Sequence, residues 1–391
     1  MATRERDITP DVLRGFALLG ILMVNIPFMA INSEFGAQGA ATYGLANGTA
    51  AFLMAALFMG KFYLLFSFLF GYSSHYIVGD ERRNRRRWIK RCIALIGLGA
   101  LHFSLLWHGD ILFLYGLLGL LLVPFFFRTE RTLKIWTRIV FIGFSVFLLV
   151  TAVMVYLSER VGSDVVTLTI ENTSALDDVM RTGTWAASVG PRTELWLMGV
   201  GSGIFLQGGF AFAAFLLGLR ASRSKALSGD YVPAVHRRMI AVGFGIGLPL
   251  QLLLAAVTVR NEQSAAPSEA IFVATTIVAF ILAPLLSAGY VGLIIKLVTH
   301  RPNLVSWMKP AGRMSLTVYI AQSVVASMVF GSWGLGLFGR VDLWLVLVIA
   351  VAIWLVLVYV STVWLRRFRQ GPLEWLVHQL TKNRLSAGTA S

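Results

Sequence analysis

The sequence predicts an all-α fold: a polytopic integral membrane helix bundle of about ten spans, with both termini cytoplasmic. Three observations lead there. The chain of 391 residues is 57% hydrophobic and only 14% charged, more apolar surface than a soluble protein of this length can bury. Apolar runs of about 20 residues recur along the whole chain, the length that crosses a bilayer core. The Lys and Arg residues behind the net charge of +15 sit in short loops between those runs, where such residues set topology. The expected partner is therefore the lipid bilayer and not a nucleic acid. Cys92 is the single cysteine, which excludes an internal disulfide, and it opens an apolar run as a core residue.

The spans read 12–31, 50–77, 92–107, 111–127, 135–157, 195–219, 239–258, 269–296, 314–331 and 342–364. The first is about one bilayer long, carries Arg14 and has no small-x-small cleavage site after it, so it reads as a retained span and not a signal peptide. Outside the spans, alternate connections hold 27 Lys and Arg against 5. This alternation places both ends in the cytoplasm. The longest connection, 158–193, falls outside the cell on this topology. A loop of that length is commonly functional; it is expected to hold a short amphipathic helix or a strand pair and to cap an outward-facing pocket. Residues 1–219 form an N-terminal half of about six spans, and 220–391 a C-terminal half of about four spans with a basic tail.

Spans 3 and 4 frame the chemistry. The stretch ALHFSLLWHGDILFLYG leaves only His108, Gly109 and Asp110 between two apolar runs, so two helices are joined by a tight turn with His102 just inside the first and Asp110 opening the second. A charged group at mid-membrane costs about 2.5–3.5 kcal/mol on insertion scales, and reads by default as functional. A carboxylate or lysine neighbour could tune His102 as a general base. Lys61 lies too deep in span 2 to snorkel, so a buried partner such as Asp110 is expected; the alternative is a purely structural ion pair. In span 1, Asp11 and Arg14 are neighbours on a helix, and Asn25 shares a face with Arg14, about 16 Å away. That stripe either faces a polar interior path, or Arg14 snorkels to the inner surface and Asn25 bonds a neighbouring helix. Arg313 opens span 9 at the inner surface, placed to contact an anionic cytosolic ligand or a lipid headgroup. Gln207 lies among glycines in GVGSGIFLQGG, and Gln322 lies mid-membrane in span 9. His102, His108 and Asp110 lack any recognised ligand spacing, so no metal is expected.

Five segments together, DVLRGFALLGILMVN, GKFYLLFSFLFG, HFSLLWHGDILFLYG, GRMSLTVYIAQS and WLRRFRQGPLEWLVHQLT, resemble the YeiB family of bacterial inner-membrane proteins, in order over nearly the whole chain. That family resembles, more distantly, the transmembrane acyltransferase superfamily that includes heparan-α-glucosaminide N-acetyltransferase. The resemblance implies acyl transfer across the membrane, from a cytoplasmic acyl-CoA such as acetyl-CoA to an envelope glycan. Asp11, Arg14 and Gly15 match the superfamily's D-x-x-R-G start; Asn25 stands where its bacterial members carry a late histidine, and His102 is the histidine that could replace it. On this reading His102 is the base and Asp110 orients it, Lys61 or Asn25 stabilises the oxyanion, and Arg14 and Arg313 hold the CoA phosphates. The alternatives are a transporter or flippase using the same buried charges as a proton or substrate path, or a non-catalytic membrane partner.

Overall fold

A computed structural model describes residues 8–161, 173–228 and 232–381. Among them every regular element is helical. The helices are α1 (Thr9–Asn25), α2 (Pro27–Ala30), α3 (Leu45–Leu57), α4 (Lys61–Val78), α5 (Arg85–Leu105), α6 (Leu112–Leu121), α7 (Glu130–Val161), α8 (Thr173–Thr182), α9 (Val189–Gly203), α10 (Gly209–Arg223), α11 (Pro233–Val242), α12 (Leu248–Glu262), α13 (Glu269–His300), α14 (Lys309–Arg313), α15 (Ser315–Phe330), α16 (Leu343–Arg367) and α17 (Pro372–Thr381).

Among the described residues, six helical stretches are long and apolar enough to cross a membrane: Leu45–Val78, Arg82–Leu105, Glu130–Val161, Pro233–Glu262, Glu269–His300 and Leu343–Arg367. A seventh is the pair Ser306–Arg313 and Ser315–Phe330, if its 86° bend is counted within one span. The remaining apolar runs are broken by identifiable residues. Pro27 has no N–H to continue the ladder, so α1 stops at Asn25 after 17 residues. Pro124 follows α6, which ends after 10 residues. The run Val189–Arg223, by contrast, is helical throughout, α9 passing into α10 through a π turn, Ile204–Gly208. The long loop before α9 supplies α8, a short helix as expected, over its described part; residues 162–172 lie outside the described set.

The centre of the bundle is α1. Val12, Leu13, Ala17 and Leu18 have no solvent exposure, and the helix touches α4, α13, α14, α15 and α16. Small residues allow this. A Cβ at Gly312 would lie 1.7 Å from the Asp11 carbonyl oxygen, and one at Gly15 2.2 Å from that of Met308. Two side-chain bonds reinforce the crossing: Gln322 Nε2 donates to the Leu18 carbonyl at 3.0 Å, and Trp354 Nε1 to that of Gly15 at 3.0 Å. Beside this core, α4 crosses α10 with reciprocal contacts at Gly71 and Gly218, the small-residue packing that membrane helices favour. Gly99, Gly116 and Gly119 likewise join α5 to α6, with Cys92 buried between them, whereas a Cβ at Gly97 would meet nothing within 4 Å.

Candidate functional site

The turn between α5 and α6 places two carboxylate oxygens on two tasks. Asp110 Oδ1 accepts the Phe113 backbone N–H at 2.8 Å, capping the first turn of α6. Asp110 Oδ2 lies 2.7 Å from His102 Nδ1. The His102 and Asp110 side chains are 1% and 0% exposed, so this pair is the compensation that a buried carboxylate needs. From α15, Ser323 Oγ reaches His102 Nε2 at 2.9 Å, and the Tyr319 ring lies beside the imidazole at 5.2 Å between centroids. The Ile111 N–H donates to the Tyr319 hydroxyl at 3.3 Å, tying the turn to α15.

A cavity of about 580 Å³ runs from one end of the bundle to this cluster. Its mouth carries Arg14, Arg91, Arg313, Asp11 and Glu374; its far end is closed by Leu112, Tyr115 and Tyr319. Arg91 and Leu95 of α5 line it, and His102 follows at helical spacing on the same helix, outside the cavity and behind the Tyr319 ring. Arg14 is held by Asp11 at 2.8 Å and donates to Ser73 Oγ at 2.5 Å. Arg313 donates to the Arg369 carbonyl at 3.0 Å. Arg91 Nε is buried with no hydrogen-bond partner among the described residues, a donor aimed into a basic pocket. Glu374, on α17, caps α15 by accepting from Leu316 N at 2.8 Å, Thr317 N at 3.2 Å and Thr317 Oγ1 at 2.6 Å.

The opposite end is shut. Trp185 Nε1 and Arg192 donate to the Leu105 carbonyl at 2.8 and 2.9 Å, satisfying the end of α5. Asp177, on α8, accepts from Ser33 N at 3.0 Å and Asn32 Nδ2 at 3.1 Å. Ser332 N reaches the Met180 carbonyl at 3.0 Å. Beneath this cover lies a cavity of about 10 Å³ lined by Trp107, His108, Arg192 and Ser327, room for about one water. α8 thus packs down onto the hairpin as the cover over this small cavity, while the cavity of about 580 Å³ opens at the other end.

The six residues singled out from the sequence divide accordingly. His102 and Asp110 meet; Arg14 and Arg313 share the mouth of the cavity. Lys61 does not meet Asp110. Its span is broken at residues 58–60, where Gly60 has φ +80°, and Met59 N turns back to the Met54 carbonyl. That leaves the Ala55 carbonyl without its helical donor, and Lys61 Nζ fills the vacancy at 2.7 Å; the ion pair with Asp110 is corrected to a bond to the backbone. Asn25 sits half-buried at the end of α1 and lines no part of the large cavity. Ser323, Tyr319 and Arg91 escaped the sequence reading. Arg91 was one basic residue in a charged loop, and Ser323 comes from 221 positions away; its only signal was its place beside Gln322 in a polar face of span 9.

His108 has a different task. Half-buried in the turn, it donates Nε2–H to the Ser33 carbonyl at 3.0 Å. Burial pushes its pKa down to about 4, against the pull of the Ser33 bond and with the Arg192 charge adding to the depression. Between the ordinary 6.5 and 4 the unfolded chain binds a proton that the folded hairpin refuses, so stability is lost as pH falls through that window. The thermal midpoint in detergent is expected to drop between pH 7 and pH 5, and the drop to shrink in His108→Gln, which keeps a donor for Ser33 but cannot charge. An identical acid profile in both proteins would contradict this.

No solved structure matches the chain. Residues 221–384 match the family described as "Protein of unknown function (DUF418)". The chain is 30% identical to "Uncharacterized protein YxaH" of Bacillus subtilis (strain 168), covering 97% of this chain and 95% of that protein. It is 31% identical to "Uncharacterized protein YeiB" of Escherichia coli (strain K12), covering 96% of each. It is 26% identical to "Uncharacterized 39.9 kDa protein in amylase 3'region" of Bacillus acidopullulyticus, covering 98% of this chain and 96% of that protein. With apolar helices throughout and two relatives matched from end to end, the chain is a helical membrane protein that belongs to the YeiB family.

Proposed function

We propose that this protein is an acyltransferase of the bacterial inner membrane, with ten spans and both termini cytoplasmic, moving an acyl group from cytoplasmic acyl-CoA to an extracytoplasmic glycan or other envelope acceptor. The observation that carries the reading is the cavity of about 580 Å³ that leads from three arginines to the ring in contact with His102. By the distribution of Lys and Arg, its mouth faces the cytoplasm. Arg14, Arg91 and Arg313 then suit the phosphates of CoA, which guanidinium groups bind through paired N–H donors. The walls of Phe66, Leu69, Phe70 and Leu95 suit the less polar arm that carries the thioester. At the end of that arm, His102, oriented by Asp110, takes a proton from the attacking group. Lys61 and Asn25 have no part in this reading, since neither reaches the His102 cluster.

A test supplies labelled acetyl-CoA to the cytoplasmic face of membrane vesicles carrying the protein. Label is expected in the envelope glycan fraction, above vesicles without the protein. Equal label in both would overturn the reading. A cavity open at one end and sealed at the other also suits a transporter; flux of a solute without consumption of acyl-CoA, abolished by Asp110→Asn, is the result that would favour it.

A further inference from the structure

We propose that Ser323 is the nucleophile of this reaction, carrying the acyl group as an O-acylserine between donor and acceptor; the proposal rests on the acyltransferase reading. The hydrogen-bond directions follow from the chemistry of the three groups. The Asp110 carboxylate can only accept, so the His102 Nδ1 that meets it at 2.7 Å bears the proton. Nε2 is then a lone pair, and the Ser323 hydroxyl at 2.9 Å donates to it. A serine donating to an imidazole that a carboxylate orients is the arrangement that activates a hydroxyl for attack.

Two further observations separate Ser323 from an ordinary helix serine. Buried serines here generally return their hydroxyl to their own helix: Ser67 to the Tyr63 carbonyl, Ser145 to Phe141 and Ser361 to Leu357, the usual resolution in an apolar helix. Among the described residues, Ser323 makes no such bond and gives its proton to His102. The second is position. Tyr319, Ser323 and Ser327 succeed one another at four-residue spacing on one face of α15. Tyr319 lines the large cavity and Ser327 the small one at the opposite end. Ser323 therefore lies about 6 Å along the helix from each, between the donor's entrance and the closed side. At that closed side, Trp107 Nε1 is buried with no hydrogen-bond partner among the described residues, and Trp107 lines the small cavity, a donor available to an incoming oxygen.

In the first half, Ser323 Oγ attacks the thioester carbonyl while its proton passes to His102 Nε2; the C–S bond breaks and the CoA sulfur leaves with that proton. In the second half, the acceptor hydroxyl loses its proton to Nε2 and attacks the acylserine carbonyl; the C–Oγ bond breaks and Ser323 recovers the proton. Nothing is oxidised or reduced.

The test incubates purified full-length protein with [14C]acetyl-CoA in the absence of acceptor, quenches in acid and maps the label. About one acetyl group per chain is expected on Ser323, none on Ser323→Ala, and a loss of at least about 100-fold in transfer for that variant. In Ser323→Cys the label is expected as a thioester, released by hydroxylamine at neutral pH, where an oxygen ester survives. An unlabelled wild-type protein that still moves acetyl to acceptor, or a Ser323→Ala variant that transfers at the wild-type rate, overturns the nucleophile and leaves the acyltransferase reading standing. A wild-type protein that neither binds acetyl-CoA nor moves its acetyl group overturns both.

Discussion

His102→Gln is expected to lower acyl transfer by about 10²–10⁴-fold, the range a positioned general base contributes, while leaving the protein folded. Glutamine keeps a donor for Asp110 and a polar contact for Ser323, but it cannot take a proton. The pairing with His102→Ala separates chemistry from architecture. Alanine removes the partner of a carboxylate that is 0% exposed, and an uncompensated buried charge costs about 3–5 kcal/mol. Both variants lose transfer, and only the alanine variant loses thermal stability. Asp110→Asn tests the same arrangement from the other side: Oδ1 can still accept from Phe113, but an amide at Oδ2 no longer selects the tautomer with Nε2 free. Transfer at the wild-type rate in His102→Gln would remove the residue from the mechanism.

The largest effect on folding is expected at Gly312. A side chain there would place its Cβ 1.7 Å from the Asp11 carbonyl oxygen and 3.0 Å from the Gly15 nitrogen, both backbone atoms of the central helix. Gly312→Val forces α14 off α1, which displaces Arg14 and Arg313 together. Overpacking of a dense core costs about 1–3 kcal/mol and more where backbone must move, so little monodisperse protein is expected from size-exclusion chromatography. Gly97→Ala is the control: its Cβ meets nothing within 4 Å, and the gain in helix propensity over glycine, up to about 1 kcal/mol, leaves the midpoint unchanged or raised.

The sequence announced the hairpin because its signal is local. His102 and Asp110 are eight residues apart, the turn between two apolar runs leaves them few places to go, and a buried carboxylate must find a partner. Arg14 and Arg313 were legible for a related reason: a guanidinium beside an apolar run can settle only near the membrane surface or in a cavity that opens there. Lys61 was misplaced because residues 50–77 read as one unbroken apolar span, while the structure turns at Gly60 and creates an unpaired carbonyl that no hydropathy pattern records. Asn25 was given weight for its spacing from Arg14, yet Pro27 ends the helix immediately beyond it, and proline was the better signal. Ser323 was invisible for the opposite reason. Nothing along the chain joins α5 to α15, and only packing brings a hydroxyl from one onto an imidazole of the other.

The places where the apolar runs break show the same limit. Apolar length was read correctly as membrane helix, but Pro124 and the 86° bend before Ser315 are local breaks with architectural consequences. They create the short α6 and the angled α15 that close the far end of the cavity.

Equilibrium binding of acetyl-CoA to the purified protein tests the central claim, that the basic cavity admits a thioester donor. Saturable binding is expected, weakened by added salt because arginine–phosphate contacts are screened, and weakened about tenfold or more in Arg313→Gln, which removes one charged hydrogen-bonding partner of a phosphate worth about 1.5–3 kcal/mol. Absence of saturable binding, or binding indifferent to salt and to Arg313, would contradict it.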